Sequence, residues 1–233
     1  MPSDRWRIVL AGGGFLIVLA CLLVLGAIAE DIHEQEAIAL DSIVTPFLHG
    51  IATPGLDTFM RVMTELGSIV VVGPVLVVAL VALVWARRRR EAVFLVVAIG
   101  GSVMLNQSLK LIFERPRPQL EWAHVIPEYS FPSGHAMNSL VLYLALALIA
   151  WRIRGRRVGI VAVGLGAVLA LLVGISRIYL GYHYFSDVVA GFLAGLAWLL
   201  LLAAAFGALS GRDSRPAHDD AARAPRDASH RSP

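Results

Sequence analysis

The stretch "VLVVALVALVWARRRREAVFLVVAIGGSVML", residues 75–105, carries two apolar runs joined by four consecutive arginines. Neither run alternates with a period of two, and neither has the one-sided spacing of a helix on a soluble core. Apolar blocks with a charged hinge read instead as two membrane-spanning helices that meet in a short loop. The hinge also sets a direction, because arginine-rich loops stay on the cytoplasmic side.

The rest of the chain follows this pattern. Its 233 residues are 58% hydrophobic and 16% charged, whereas a soluble domain carries about 25% charged residues. Six apolar blocks cover roughly residues 8–29, 66–86, 92–113, 134–151, 158–175 and 188–208. At about 1.5 Å per residue, each crosses or nearly crosses a hydrocarbon core about 30 Å thick. The stretch "IALDSIVTPFLHGIATPGLDTFMRV", 38–62, is mixed and interrupted by Pro46 and Pro54, so it reads as an interfacial helix and turn before the second span. The expected fold is all-α: a polytopic membrane protein with six transmembrane helices.

The first block follows Arg5 and Arg7, and "GAIAE" resembles a signal-peptide cleavage site. Its apolar region of about 22 residues exceeds the 7–15 of a secretory signal, so an uncleaved first span is expected. The single cysteine, Cys21, lies mid-span, leaves no internal disulfide and reads as a packing residue. All 20 basic residues except Lys110 are arginine, and they fall in short groups between apolar blocks. With a formal net charge of only +3, that grouping speaks for topology and against nucleic-acid binding.

"RRRR" (87–90) joins spans two and three, and "RIRGRR" (152–157) joins spans four and five. After span one come Glu30, Asp31, Glu34, Glu36 and Asp41, with no Lys or Arg before Arg61. The positive-inside rule therefore makes both arginine loops and both termini cytoplasmic. Residues 1–7 form a cytoplasmic N-terminus, 8–208 the membrane domain, and 209–233 an Ala-, Pro-, Asp- and Arg-rich cytoplasmic tail expected to be disordered. Parity then sends the junctions 114–133 and 176–187 outward, away from the cytoplasm.

Those two junctions hold nearly all the unusual polar residues. "FPSGH", 131–135, reads as a helix start with Ser133 as N-cap. Its free N–H groups form a ready anion site, Gly134 lets a ligand approach the backbone, and His135 falls in the first turn. The plainer reading is a capped helix with an interfacial histidine. In "GISRIYLGYHYFSDVVAGF", 174–192, His183 and Asp187 are four apart and would share a helix face. A carboxylate there would fix the imidazole tautomer, as a base or nucleophile requires. An ordinary interfacial pair within a tyrosine belt explains the two residues as well, though not Arg177. Lys110, Arg117 and Arg177, each readable alone as a snorkelling anchor, together with Ser133, Gly134 and the histidines suggest a receptacle for a phosphate-like oxyanion.

Lys110-x6-Arg117-Pro118, Pro132-Ser133-Gly134-His135 and Ser176-Arg177-x5-His183-x3-Asp187 resemble the three-part signature of the type 2 phosphatidic acid phosphatase (PAP2) family. Vanadium haloperoxidases and bacterial acid phosphatases belong to the same superfamily. The three parts lie at 110–118, 132–135 and 176–187, and the likeness covers about residues 60–208. Phe185 stands where many relatives carry proline or tryptophan. The resemblance implies that His183 is the nucleophile that forms a phosphohistidine, and that Asp187 orients it. It implies that His135 protonates the leaving oxygen and later activates water. Lys110, Arg117, Ser133, Gly134 and Arg177 would bind the phosphoryl group.

No cofactor or metal is expected: the family needs none, and the outer loops show no further carboxylate cluster for Mg²⁺ or Zn²⁺. The expected partner is a lipid phosphate held in the bilayer of a bacterial-type inner membrane, hydrolysed on the outer side. Phosphatidic acid, phosphatidylglycerophosphate and undecaprenyl diphosphate all fit. A lipid phosphotransferase would use the same residues. A non-catalytic lipid-binding or transport protein would not need the His135–His183–Asp187 set. Haloperoxidase relatives are soluble, unlike a chain with six spans.

Overall fold

A computed structural model describes residues 4–34, 38–120, 122 and 127–212. Among them the regular elements are all helices: α1 (Asp4–His33), α2 (Ala39–Gly50), α3 (Pro54–Glu65), α4 (Ile69–Trp85), α5 (Arg89–Phe113), α6 (Gly134–Arg154), α7 (Arg156–Tyr179) and α8 (Phe185–Arg212). Residues 1–3 of the N-terminal segment and 213–233 of the tail lie outside the described residues.

Each expected span is a helix, and all but α4 run past their apolar blocks. Helices continue for as long as backbone hydrogen bonds can form, so polar residues such as Ser176 and Arg177 close α7 rather than follow it. Among the described residues, five helices are long and apolar enough to cross a bilayer. The 17 residues of α4 make it about 26 Å long, slightly short of the hydrocarbon core. Joined to α3 across a 43° bend, it forms the sixth candidate span.

The stretch 38–62 differs from expectation: it forms two helices instead of a helix and a turn. Pro46 lies inside α2, where it removes one backbone hydrogen bond without ending the helix. Pro54 opens α3 at a position where its missing N–H has no intrahelical partner to lose. Thr53 caps that helix, its Oγ1 accepting from the Leu56 N–H at 3.3 Å.

Helix α6 is central, with α5, α7 and α8 packed around it. Leu95, Ala98, Val141, Leu142, Ala145 and Leu199 form the innermost part of the core shared by α4, α5, α6 and α8. α1 lies on α8, where Val18 and Cys21 meet Ala197. Val70, Val78, Met104, Leu111 and Leu171 point outward, as suits a surface solvated by lipid tails. Since such tails are as apolar as leucine, close approach of backbones must hold the helices together. Gly191 and Gly195 of α8 provide it. A Cβ on Gly191 would lie 2.7 Å from the Ser133 carbonyl oxygen, and one on Gly195 would lie 3.1 Å from that of Met137.

The antiparallel order of α5 to α8 gathers 110–118, 130–135 and 176–187 at one end of the bundle. The arginine loops occupy the other end, where Arg90 and Arg152 line a cavity with Phe206 and Arg88 and Arg154 line another with Leu83.

Candidate active site

The site is built on three helix ends. The first is the C-terminus of α7, which closes in a Schellman motif. The Gly181 N–H donates to the Ile178 carbonyl at 2.9 Å and the Tyr182 N–H to the Arg177 carbonyl at 3.0 Å. Gly181 takes φ 74°, a conformation that glycine adopts without steric penalty. The His183 N–H also donates to the Arg177 carbonyl, at 3.2 Å. The spacing between Arg177 and His183 is thus the geometry of a helix cap: one residue's backbone holds the other in place.

His183 precedes α8 and does not share a helical face with Asp187. The pair still meets, with Nδ1 3.4 Å from Oδ2, because Asp187 in the first turn of α8 reaches back over the turn. The same oxygen accepts the Tyr184 N–H at 3.0 Å. Both side chains are almost fully buried.

The second end is the N-terminus of α6. Ser133 caps it, its Oγ accepting the Ala136 N–H at 3.5 Å. The Ser133 N–H donates to the Asp187 carbonyl at 2.9 Å, so one backbone bond joins the second and third motifs. A Cβ on Gly134 would stand 2.9 Å from Oδ1 of Asn106. The Asn106 amide also donates to the Pro132 carbonyl at 3.2 Å. His135 is half-buried in the first turn. Its electrostatic neighbours are Arg177, His183, Arg117 and Lys110.

The third end is the C-terminus of α5, where Glu114 adopts a left-handed φ of 44° and turns the chain back across the site. Lys110 is buried in the last turn, and Arg117 follows in the loop. Arg117 Nη1 donates to the Tyr182 carbonyl at 2.8 Å and lies 3.3 Å from Nε2 of His183. Arginine has donors only, so this contact assigns the lone pair to Nε2 and the proton to Nδ1, facing Asp187. Burial lowers the His183 pKa to about 4, outweighing the opposing pull of Asp187. The imidazole is therefore neutral near pH 7, with its lone pair directed at Arg117 in a cation cluster.

Arg177 completes that cluster. Its Nη1 donates to Thr64 Oγ1 at 2.8 Å, and its guanidinium lies over the Tyr182 ring, 4.2 Å from the centroid. Its buried Nε has no hydrogen-bond partner among the described residues. Among the described residues, Glu128 provides the only carboxylate in an ion pair with Lys110 and Arg117, at 3.3 and 3.6 Å. A cavity of about 630 Å³ lined by Lys110, Arg117, Glu128 and Tyr129 opens beside it. Buried cations that outnumber their carboxylates are unstable unless an anion joins them. The arrangement therefore suits an oxyanion held next to a neutral imidazole.

Lys110, Arg117, Ser133, Gly134, His135, Arg177, His183 and Asp187 thus come together at one end of the bundle. Thr64, Glu128, Arg115 and Asp41 also belong there, and the sequence reading passed over them. Arg115 sits inside the first motif, 110–118, and Asp41 served only as a mark of sidedness.

The profile of the PAP2 superfamily matches residues 91–210. Phosphatidylglycerophosphatase B of Bacillus subtilis strain 168 is 30% identical over 182 residues, covering 75% of this chain and 87% of the relative. An undecaprenyl-diphosphatase of Sulfolobus acidocaldarius is 26% identical, covering 81% of this chain and 88% of the relative. The crystal structure of a transmembrane PAP2-type phosphatidylglycerolphosphate phosphatase from Bacillus subtilis superimposes with a TM-score of 0.74 at 27% identity, covering 85% of this chain and 98% of that one. With motifs, helices and relatives in agreement, the chain belongs to the PAP2 superfamily and is a multi-pass membrane phosphoric ester hydrolase.

Proposed function

We propose that the protein removes a phosphoryl group from a membrane lipid on the outer face of the inner membrane, through a phosphohistidine on His183. The observation that carries this reading is the His183 imidazole. Its Nδ1 faces Asp187 and its Nε2 faces Arg117, with Arg177 close by.

In this reading Lys110, Arg117 and Arg177 take the phosphoryl oxygens, aided by Ser133 and the free N–H groups at the start of α6. The Nε2 lone pair forms the N–P bond while the ester P–O bond breaks. The leaving oxygen takes a proton from His135. Water then attacks the phosphohistidine as His135 accepts its proton, releasing inorganic phosphate and restoring His183. Asp187 stabilises the positive charge that develops on the imidazole. Residues 8–208 form the catalytic unit.

Outward orientation is supported by the arginine loops, which lie at the opposite end of the bundle from the motifs. A lipid's phosphate would then meet the site while its tails remain in the bilayer. The names of the relatives favour phosphatidylglycerophosphate and undecaprenyl diphosphate as the first substrates to test, with phosphatidic acid beside them.

The test is phosphate release by the purified protein in detergent with EDTA, across these lipids, for wild type and His183→Ala. Wild type should release phosphate and His183→Ala should lose activity by a factor on the order of 10⁴ or more. Undiminished release by a correctly inserted His183→Ala, or a strict need for added Mg²⁺, would overturn the mechanism.

A further inference from the structure

Arg115 lies outside the cation cluster, and three of its five N–H donors bond side chains elsewhere. Nη1 donates to Oδ1 of Asp187 at 2.6 Å and to Ser186 Oγ at 2.8 Å. Nη2 donates to Oδ2 of Asp41 at 2.8 Å. Its guanidinium also covers the Tyr184 ring, 4.1 Å from the centroid. Asp41, from the interfacial helix α2, is bound in turn by Ser186, whose N–H donates to Oδ1 at 2.8 Å and whose Oγ donates to Oδ2 at 2.6 Å.

The charge of this guanidinium is already matched by the carboxylates of Asp41 and Asp187. It acts on the Asp187 carboxylate. Asp187 is fully buried, and an aspartate has two equivalent oxygens on a rotatable bond. The Tyr184 N–H holds Oδ2, and a second bond on Oδ1 is what keeps the carboxylate from swinging about that single contact. Burial works against the charge on Arg115, but the carboxylates of Asp187 and Asp41 outweigh it and raise its pKa. The guanidinium stays charged between them.

We infer that Arg115 and Asp41 are positioning residues of the His183–Asp187 pair, Arg115 taking one oxygen of Asp187 so that the other faces Nδ1, and Asp41 anchoring Arg115 to α2. This inference rests on the reading of His183 as nucleophile. It makes α2 part of the catalytic apparatus through Asp41. It also separates two arginines of one short motif: Arg117 belongs to the substrate, Arg115 to the nucleophile's partner.

The test uses the full-length protein in detergent with dioctanoyl phosphatidic acid as substrate, orthovanadate as the anion probe, and thermal unfolding as a control. Arg115→Met should lower kcat by about 10- to 100-fold, as loss of an outer partner of a reacting group typically does. KM and the orthovanadate inhibition constant should stay at wild-type values, because the three phosphate cations are untouched. Arg115→Lys should restore part of kcat, and Asp41→Asn should reduce it less than Arg115→Met. On an Asp187→Asn background, Arg115→Met should bring no further loss, since the two act as one unit.

Additive losses in that double variant would overturn the inference, as would weakened orthovanadate binding or a wild-type kcat. If Arg115→Met fails to fold, Arg115→Lys and Asp41→Asn carry the same comparison on the Asp187→Asn background. His183→Ala separates the two readings. Activity retained there removes the nucleophile itself, while an inactive His183→Ala beside a fully active Arg115→Met removes only the positioning role.

Discussion

Oε2 of Glu128 lies 3.3 Å from Nζ of Lys110, so a carboxylate of the loop occupies the charge that a phosphoryl oxygen would take. The same oxygen lies 3.6 Å from Nη2 of Arg117. A bound phosphate would have to displace it. Glu128→Gln should therefore lower KM for the lipid phosphate and tighten inhibition by inorganic phosphate, with kcat little changed. The Glu128 side chain is 64% exposed, which limits the gain to about 1 kcal/mol or less. Steady-state kinetics with phosphate as competitor measure it, and a higher KM would mean that Glu128 assists binding instead.

The pH profile of kcat/KM should keep its acid limb well below the ordinary histidine range. Burial holds His183 at about 4, so the imidazole is neutral and nucleophilic above that pH and loses its lone pair to a proton below it. Activity should fall as pH drops through about 4, not through about 6.5. Profiles taken in detergent between the two values distinguish the cases.

Arg177→Lys keeps a charge but loses the planar fork that spans the site between Thr64 and Tyr182. Arginine and lysine are not interchangeable where a fork must hold an oxyanion. The expected loss in kcat/KM is about 10²–10³, that of removing one donor from a preorganised anion site. Kinetics and thermal unfolding together check it. A variant that folds normally yet retains full activity would exclude Arg177 from the phosphate site.

Gly191→Ala tests the packing of α8 behind the N-terminus of α6. The added methyl would stand 2.7 Å from the Ser133 carbonyl oxygen, so the helices must separate. Overpacking of this kind costs about 1–3 kcal/mol. The separation also shifts the N–H groups at Ser133 and Gly134, so melting temperature and activity should fall together. Gly164→Ala, where a Cβ meets nothing within 4 Å, should change neither.

The parts legible in the sequence are local ones. Each span shows in a continuous apolar block, and Ser133 and Gly134 reveal themselves through the short-range chemistry of a helix start. Arg115 could not be separated from Arg117 in this way. Both are arginines of one loop, and only their neighbours, 74 positions away in Asp41 and 66 in His183, divide their tasks. Asp41 lies 145 positions from Ser186, with nothing nearby to mark it as buried. The expectation that His183 and Asp187 share a helical face had the right partners and the wrong geometry. A spacing of four fits a helix, but it also fits a turn leading into one.

The Schellman turn between α7 and α8 has a consequence for how such a chain can diversify. The N–H groups of Gly181, Tyr182 and His183 are committed to carbonyls of α7, so one inserted residue there would carry His183 off Arg117 and Asp187. The outer junction after α5 is closed at its base, where the Ser130 N–H meets the Arg115 carbonyl at 2.8 Å and Arg117 Nε meets the Glu128 carbonyl at 2.9 Å. Residues added between Pro118 and Glu128 would leave that closure intact. One junction fixes the histidine to the helix before it, and the other can take added residues without disturbing its base.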